Sequence, residues 1–207
     1  MGQDWSMTER IDSSEDGLAA AAALLREGAL VAFPTDTVYG IGCRVGDGEG
    51  LDRLFEAKRR PTDKRIPILL SGLGQARELG YLADERVEAL ASAFWPGPLT
   101  LILPDAAGGA TQAFRAPDHP VALDLITRSG PLAATSANRS GEPETYEADD
   151  VLVAFADTEL LAAVVDGGRV PGGVASTVLD TTGERPRILR PGPVTREDLA
   201  AVVGHVD

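Results

Sequence analysis

Short apolar runs alternate with amphipathic stretches along the chain, the pattern of an α/β protein. Ser14 is placed to cap a helix from about Glu15 to Glu27, with Gly28 as its stop, and the run ALVAFP (29–34) reads as a buried strand. After the turn-rich GIGCRVGDGEG, helical spacing returns over 50–58. IPILLS (66–71) predicts a second strand, Asp84 to Phe94 a helix, and LTLILP (99–104) a third strand. Val121, Leu125 and Ile126 give helical spacing to His119–Thr127, PLAATS (131–136) is a short strand, and 147–155 is helical. LLAAVVD (160–166), ASTVLD (175–180) and PRILR (186–190) supply further strands. A last helix from Thr195 to Val203 opens on the capping pattern Thr195-Arg-Glu-Asp198. Six or seven strands alternating with helices, with no internal repeat and no linker, predict one α/β domain over 15–207 with a twisted mixed sheet. The polar residues 1–14 are expected to be a disordered leader.

Composition narrows the function classes. Nineteen Lys and Arg against 32 Asp and Glu give a formal charge of -13, so the surface as a whole repels nucleic acid and anionic membranes, and any basic site is local. One cysteine, Cys43, excludes an intramolecular disulfide, and two histidines, His119 and His205, supply no metal framework. No apolar run approaches the roughly 20 residues that span a bilayer. The leader has no secretory pattern; Gly2 and Ser6 satisfy a loose myristoylation pattern. A soluble, cytoplasmic protein without a metal site is expected.

Common catalytic signatures are missing. There is no GxxxxGK[ST] loop and no GxSxG elbow, and Gly40, Gly42 and Gly46 have the wrong spacing for a dinucleotide fingerprint. Cys43 has no base near it in sequence and reads as a packed residue. What remains is a series of polar segments, several at strand ends, where α/β proteins build their sites. Pro34-Thr-Asp-Thr-Val-Tyr-Gly40 serves equally as a turn cap or as a ligand contact. Lys58-Arg-Arg-Pro-Thr-Asp-Lys-Arg65 holds five of the nineteen cations; it suits a polyanion, although favourable charge at a helix C-terminus explains part of it. Arg115-Ala-Pro-Asp-His-Pro120 presents an arginine that can grip a carboxylate or pair with Asp118. In Thr135-Ser-Ala-Asn-Arg-Ser-Gly141, Ser136 and Asn138 project to one side if the extended backbone continues; a plain turn is the competing reading. Ala175-Ser-Thr177 and Arg190-Pro-Gly192 complete the series.

In this order the segments closely resemble the YrdC-like family of threonylcarbamoyl-AMP synthases, in its single-domain form. The resemblance runs from about Gly17 to Leu199 through PTDTVYGIG, KRRPTDK, FWPGPLTLIL, FRAPDHPVAL, PLAATSANRSG, VVDGG, STV and RPGPVT. It implies a YrdC/RibB-like twisted mixed sheet with flanking helices around a concave cavity. It further implies a nucleotidyltransferase, L-threonylcarbamoyladenylate synthase, which forms threonylcarbamoyl-AMP and pyrophosphate from L-threonine, bicarbonate and ATP. The product feeds N6-threonylcarbamoyladenosine formation at position 37 of tRNA, through downstream threonylcarbamoyl-transfer machinery.

Carried over residue by residue, the resemblance places Lys58, Arg60, Ser136 and Asn138 at the catalytic centre and on ATP, with Arg190 also on ATP. Thr35, Arg115 and Ser176 fall at threonine-binding positions. ATP is a substrate and Mg2+ arrives with it; no dedicated protein metal site is expected. Two departures from the family pattern are Arg65, where many members have proline, and Leu69, where longer members carry a substrate-facing histidine. Within the cationic cluster, Arg59 is expected to point away from Lys58 and Arg60. The competing readings are a double-stranded RNA-binding module, disfavoured by the net charge, which implies weak or no RNA binding, and a carbamoyltransferase relative that handles carbamoyl-adenylate.

Overall fold

The computed structural model describes residues 8–207, which form two compact units, 8–66 with 119–173 and 67–118 with 174–207. In the first unit the strands are β1 (Glu9–Asp12), β2 (Leu30–Pro34), β3 (Tyr39–Arg44), β7 (Leu132–Ser136) and β8 (Leu161–Asp166), and the helices α1 (Glu15–Arg26), α2 (Gly48–Lys58), α5 (Pro120–Ser129) and α6 (Ala148–Ala154). They stand in the order β1-β8-β2-β3-β7. The first three run parallel, and the hairpin β2–β3 and the pair β3–β7 are antiparallel. In the second unit the strands are β4 (Ile68–Leu69), β5 (Leu99–Leu103), β6 (Gln112–Arg115), β9 (Thr177–Asp180) and β10 (Arg187–Arg190), and the helices α3 (Leu73–Glu78), α4 (Glu85–Phe94) and α7 (Arg196–Val203). Their order is β4-β6-β5-β9-β10, with parallel pairs β4–β6 and β5–β9 and antiparallel pairs β6–β5 and β9–β10. The expected mixed α/β sheet with flanking helices is present in both.

Burial explains the continuous apolar runs. Every residue of β2 is buried, as are Leu161 to Val165 of β8, because helices cover both faces of this sheet. One face packs Leu30, Ala32, Ile41 and Val164 against Leu54 of α2 and Val151 of α6. On α1 and α5, which pack together, Leu18, Ala21 and Leu25 and then Val121, Leu125 and Ile126 are buried. The Ser14 cap is real: its side chain accepts from Gly17 N.

Four elements escape the hydrophobic pattern. β3 contains Gly40 and Gly42, which weaken strand propensity. A Cβ on Gly42 would lie 2.8 Å from Ala133 O and 2.9 Å from Ala134 Cβ, so the glycine permits β7 to approach. β6 and α3 are short. β1 corrects the leader boundary: residues 9–12 are a strand, with Ile11 buried and Arg10 pairing with Asp166 (Nη2–Oδ2 2.6 Å) and Asp149 (2.7 Å). The rest of that leader up to residue 7, with its Gly2 and Ser6 pattern, lies outside the described residues.

Candidate functional site

The first unit assembles the KRR segment and the SAN turn. Helix α2 stops at Arg59, which adopts a left-handed conformation (φ 49°, ψ 41°) and is the one non-glycine residue with positive φ among those described. The break turns Lys58 inward and Arg59 outward. Lys58 is 2% exposed, and its ammonium donates to the backbone carbonyls of Ser136 and Asn138. Ser140 N returns a bond to Lys58 O at 3.0 Å. Burial, and then the neighbouring Arg60 guanidinium, draw the Lys58 amine down to about 8. Arg60 is half-buried, with Nη2 on Arg65 O at 3.1 Å. Arg59 points elsewhere, as expected, and pairs with Asp157 at 2.7 Å.

Ser136 and Asn138 do project to one side, since Ser136 Oγ donates to Asn138 Oδ1 at 2.6 Å. Asn138 Nδ2 donates to Glu142 O at 2.6 Å, closing the turn. Two further side chains hold this arrangement, and sequence reasoning missed both. Arg139, 5% exposed, donates to Ala57 O in the last turn of α2, pairs with Asp157 and lies 5.3 Å from the Phe155 ring centroid. Partial loss of hydration raises the Asp157 carboxyl, but Arg139 and then Arg59 carry it below the usual carboxylate range. The signal for Arg139 lies inside the SANRSG segment. Asp157 has none, being 98 positions from Arg59.

Thr35 is buried at the β2–β3 turn, where its hydroxyl donates to Val38 O at 2.7 Å and accepts from Thr37 N at 3.3 Å. Thr35 thus caps its own turn, one of the two roles its segment allows. Cys43 is buried, and burial pushes its thiol up to about 12, as befits a packed residue.

The second unit places Arg115, Ser176 and Arg190. Arg115 ends β6, is 9% exposed and donates from Nε to Gly97 O at 3.0 Å. Leu69, the departure on β4, is buried and stands in register with Arg115. Ser176 Oγ lies 2.8 Å from Thr100 Oγ1 on β5. Arg190 grips the Ser176 carbonyl with Nε at 3.1 Å and Nη2 at 2.9 Å, and Nη2 also reaches Ser176 Oγ at 3.2 Å. Gly192 permits this closure: a Cβ there would fall 2.4 Å from Thr177 N and 2.5 Å from Ala175 O. Among the described residues no group of three or more His, Cys, Asp or Glu could hold a metal. Among the described residues no helix is long and apolar enough to cross a membrane.

The comparisons with known proteins follow this ordering of motifs. The family described as Sua5_yciO_yrdC, Telomere recombination, matches residues 23–192. A threonylcarbamoyl-AMP synthase of Bacillus subtilis is 44% identical over 97% of this chain and 61% of its own length. A putative threonylcarbamoyl-AMP synthase of Mycobacterium tuberculosis is 37% identical over 96% of each chain. The crystal structure of P. abyssi Sua5 complexed with L-threonine superposes with a TM-score of 0.87 at 39% identity, covering 97% of this chain and 62% of that one. The chain thus spans about three-fifths of the length of the Bacillus relative and of the P. abyssi structure. With the match extending through both units, the chain belongs to the Sua5/YciO/YrdC family.

Proposed function

We propose that this protein is an L-threonylcarbamoyladenylate synthase, a nucleotidyltransferase that converts L-threonine, bicarbonate and ATP into threonylcarbamoyl-AMP, pyrophosphate and water. The observation that carries this reading is the joining of the KRR segment to the SAN turn by Lys58, which groups two cations with a Ser–Asn pair in a protein of net charge -13. Such a grouping suits a polyphosphate. The names of the Bacillus and Mycobacterium relatives and the threonine complex of P. abyssi Sua5 support the choice of reaction.

In this reaction a carboxylate oxygen of N-carboxythreonine attacks the α-phosphorus of ATP, and the bond to pyrophosphate breaks. The protein contributes position and positive charge. Lys58 and Arg60 supply charge to the phosphates; Ser136 and Asn138 supply a hydroxyl and an amide to the nucleotide. Arg190, whose Nε and Nη2 are engaged by Ser176, has Nη1 to offer to a phosphate. Arg115 receives the threonine carboxylate. Thr35 and Ser176 contact threonine after exchanging their present partners, Val38 O and Thr100. Mg2+ enters on ATP. The product passes to the tRNA threonylcarbamoyl-transfer machinery in the cytoplasm, and duplex RNA binds weakly or not at all.

The test is pyrophosphate release from ATP, measured with threonine and bicarbonate supplied together and singly. Release that requires both is expected. Equal turnover without threonine would overturn the reading.

A further inference from the structure

We infer that Arg139 is a positioning residue, with Asp157 as its counter-ion, which fixes the spacing between the KRR segment and the SAN turn and thereby preorganises the ATP-binding groups. The inference rests on the assignment of those groups to ATP. Three contacts of one buried side chain carry it. One nitrogen donates to Ala57 O, the residue before Lys58; the other pairs with Asp157; the guanidinium plane lies over Phe155. The backbone of Arg139 directly follows Asn138, so the side chain spans from one motif to the other.

Asp157 adds a second tie, because its other oxygen holds Arg59, the residue between Lys58 and Arg60, at 2.7 Å. Arg59 occupies the left-handed region, a conformation that costs a non-glycine residue energy and persists where surroundings hold it. The two oxygens of one carboxylate therefore engage the residue within the KRR segment and the residue after Asn138. The Arg59 arm is exposed, with side chains 67% and 55% accessible, and water screens it. The Arg139 arm is 6% accessible on the arginine side and carries the larger share.

Arg139→Met tests this, since an apolar side chain of similar length keeps the packing on Phe155 while removing the fork, and the Asp157 carboxylate left behind, 55% accessible, stays in water rather than buried and unpaired. The expected result is an ATP KM raised on the order of tenfold, with the threonine KM within about twofold and the protein still folded. Arg139→Lys, which keeps the charge but not the fork, should recover part of the loss. In the free protein, the amides of Ser140 and Arg60 should exchange faster together in Arg139→Met, a readout that needs no ligand. An unchanged ATP KM with unchanged exchange would overturn the inference. So would a fall in apparent kcat that tracks the folded fraction while both KM values stay at their wild-type levels. If Arg139→Met does not fold, Asp157→Asn decides by the same two measurements. Faster exchange in a protein whose wild type shows no threonine-dependent pyrophosphate release would sink the synthase reading while leaving the tie between the two motifs standing.

Discussion

The Lys58 ammonium donates to the carbonyl oxygen of Asn138, so a residue read from sequence as a phosphate ligand is also the internal support of the turn beside it. Two of its three N–H groups are spent on the carbonyls of Ser136 and Asn138. Its removal therefore touches folding as well as the phosphate binding proposed for it.

Lys58→Ala is expected to lower unfolding stability on the order of 2–4 kcal/mol, because two carbonyls lose a charged donor in a buried setting. Arg60→Ala, at a half-buried site, should cost about 1 kcal/mol or less. Urea denaturation of both variants measures the difference. Equal stabilities would show that the Lys58 bonds contribute nothing net.

The Lys58 amine, at about 8 in the folded state, lies below its ordinary value of 10.5. The unfolded chain thus binds the proton more strongly, and the contribution of this residue to stability improves as pH rises from about 8 to about 10.5; below that window its cost is constant. ATP affinity runs the other way. The charged form attracts phosphate, so affinity should fall about tenfold between about pH 7 and pH 9. Lys58→Arg, whose charge does not titrate in that range, should flatten the profile. Calorimetric titration with ATP alone checks this, and a flat wild-type profile would contradict it.

Ser176→Ala removes the hydroxyl shared by Thr100 and Arg190 and leaves the Arg190 grip on the Ser176 carbonyl in place. Stability should fall by about 1 kcal/mol. Threonine affinity should fall several-fold, on the order of 1 kcal/mol, while ATP affinity stays within about twofold. Thr100→Val, which deletes only the other hydroxyl, separates the two effects: it should reproduce the stability loss with less effect on threonine. Identical threonine affinity in wild type and Ser176→Ala would remove Ser176 from the threonine contacts.

Gly192→Ala forces a methyl group to 2.4 Å from Thr177 N and 2.5 Å from Ala175 O. Backbone must move, and the cost is expected at about 1–3 kcal/mol. Because the same backbone carries Ser176, substrate affinity should fall with stability. A thermal melt matching wild type would show that the loop yields freely.

Motif order and side-chain chemistry were legible in the chain itself. Long apolar runs such as 29–34 and 160–166 announced buried strands because helices cover both faces of their sheet, and Ser14, Asp84 and Thr195 announced helix starts through their capping oxygens. The side-by-side projection of Ser136 and Asn138 followed from extended backbone geometry, and the outward turn of Arg59 from its place between two inward candidates. Other features depended on partners distant in sequence. β3 is a strand because Gly42 admits Ala133 and Ala134, and β1 is a strand because β8 offers it a parallel edge. Neither cause has a local periodicity. The inward course of Lys58, the spanning reach of Arg139 and the two-handed role of Asp157 arise only when residues 57–60, 136–140 and 157 are brought together. Burial then makes the difference: a cation that reads as solvated in sequence must, once removed from water, spend its donors on the nearest carbonyls or carboxylates.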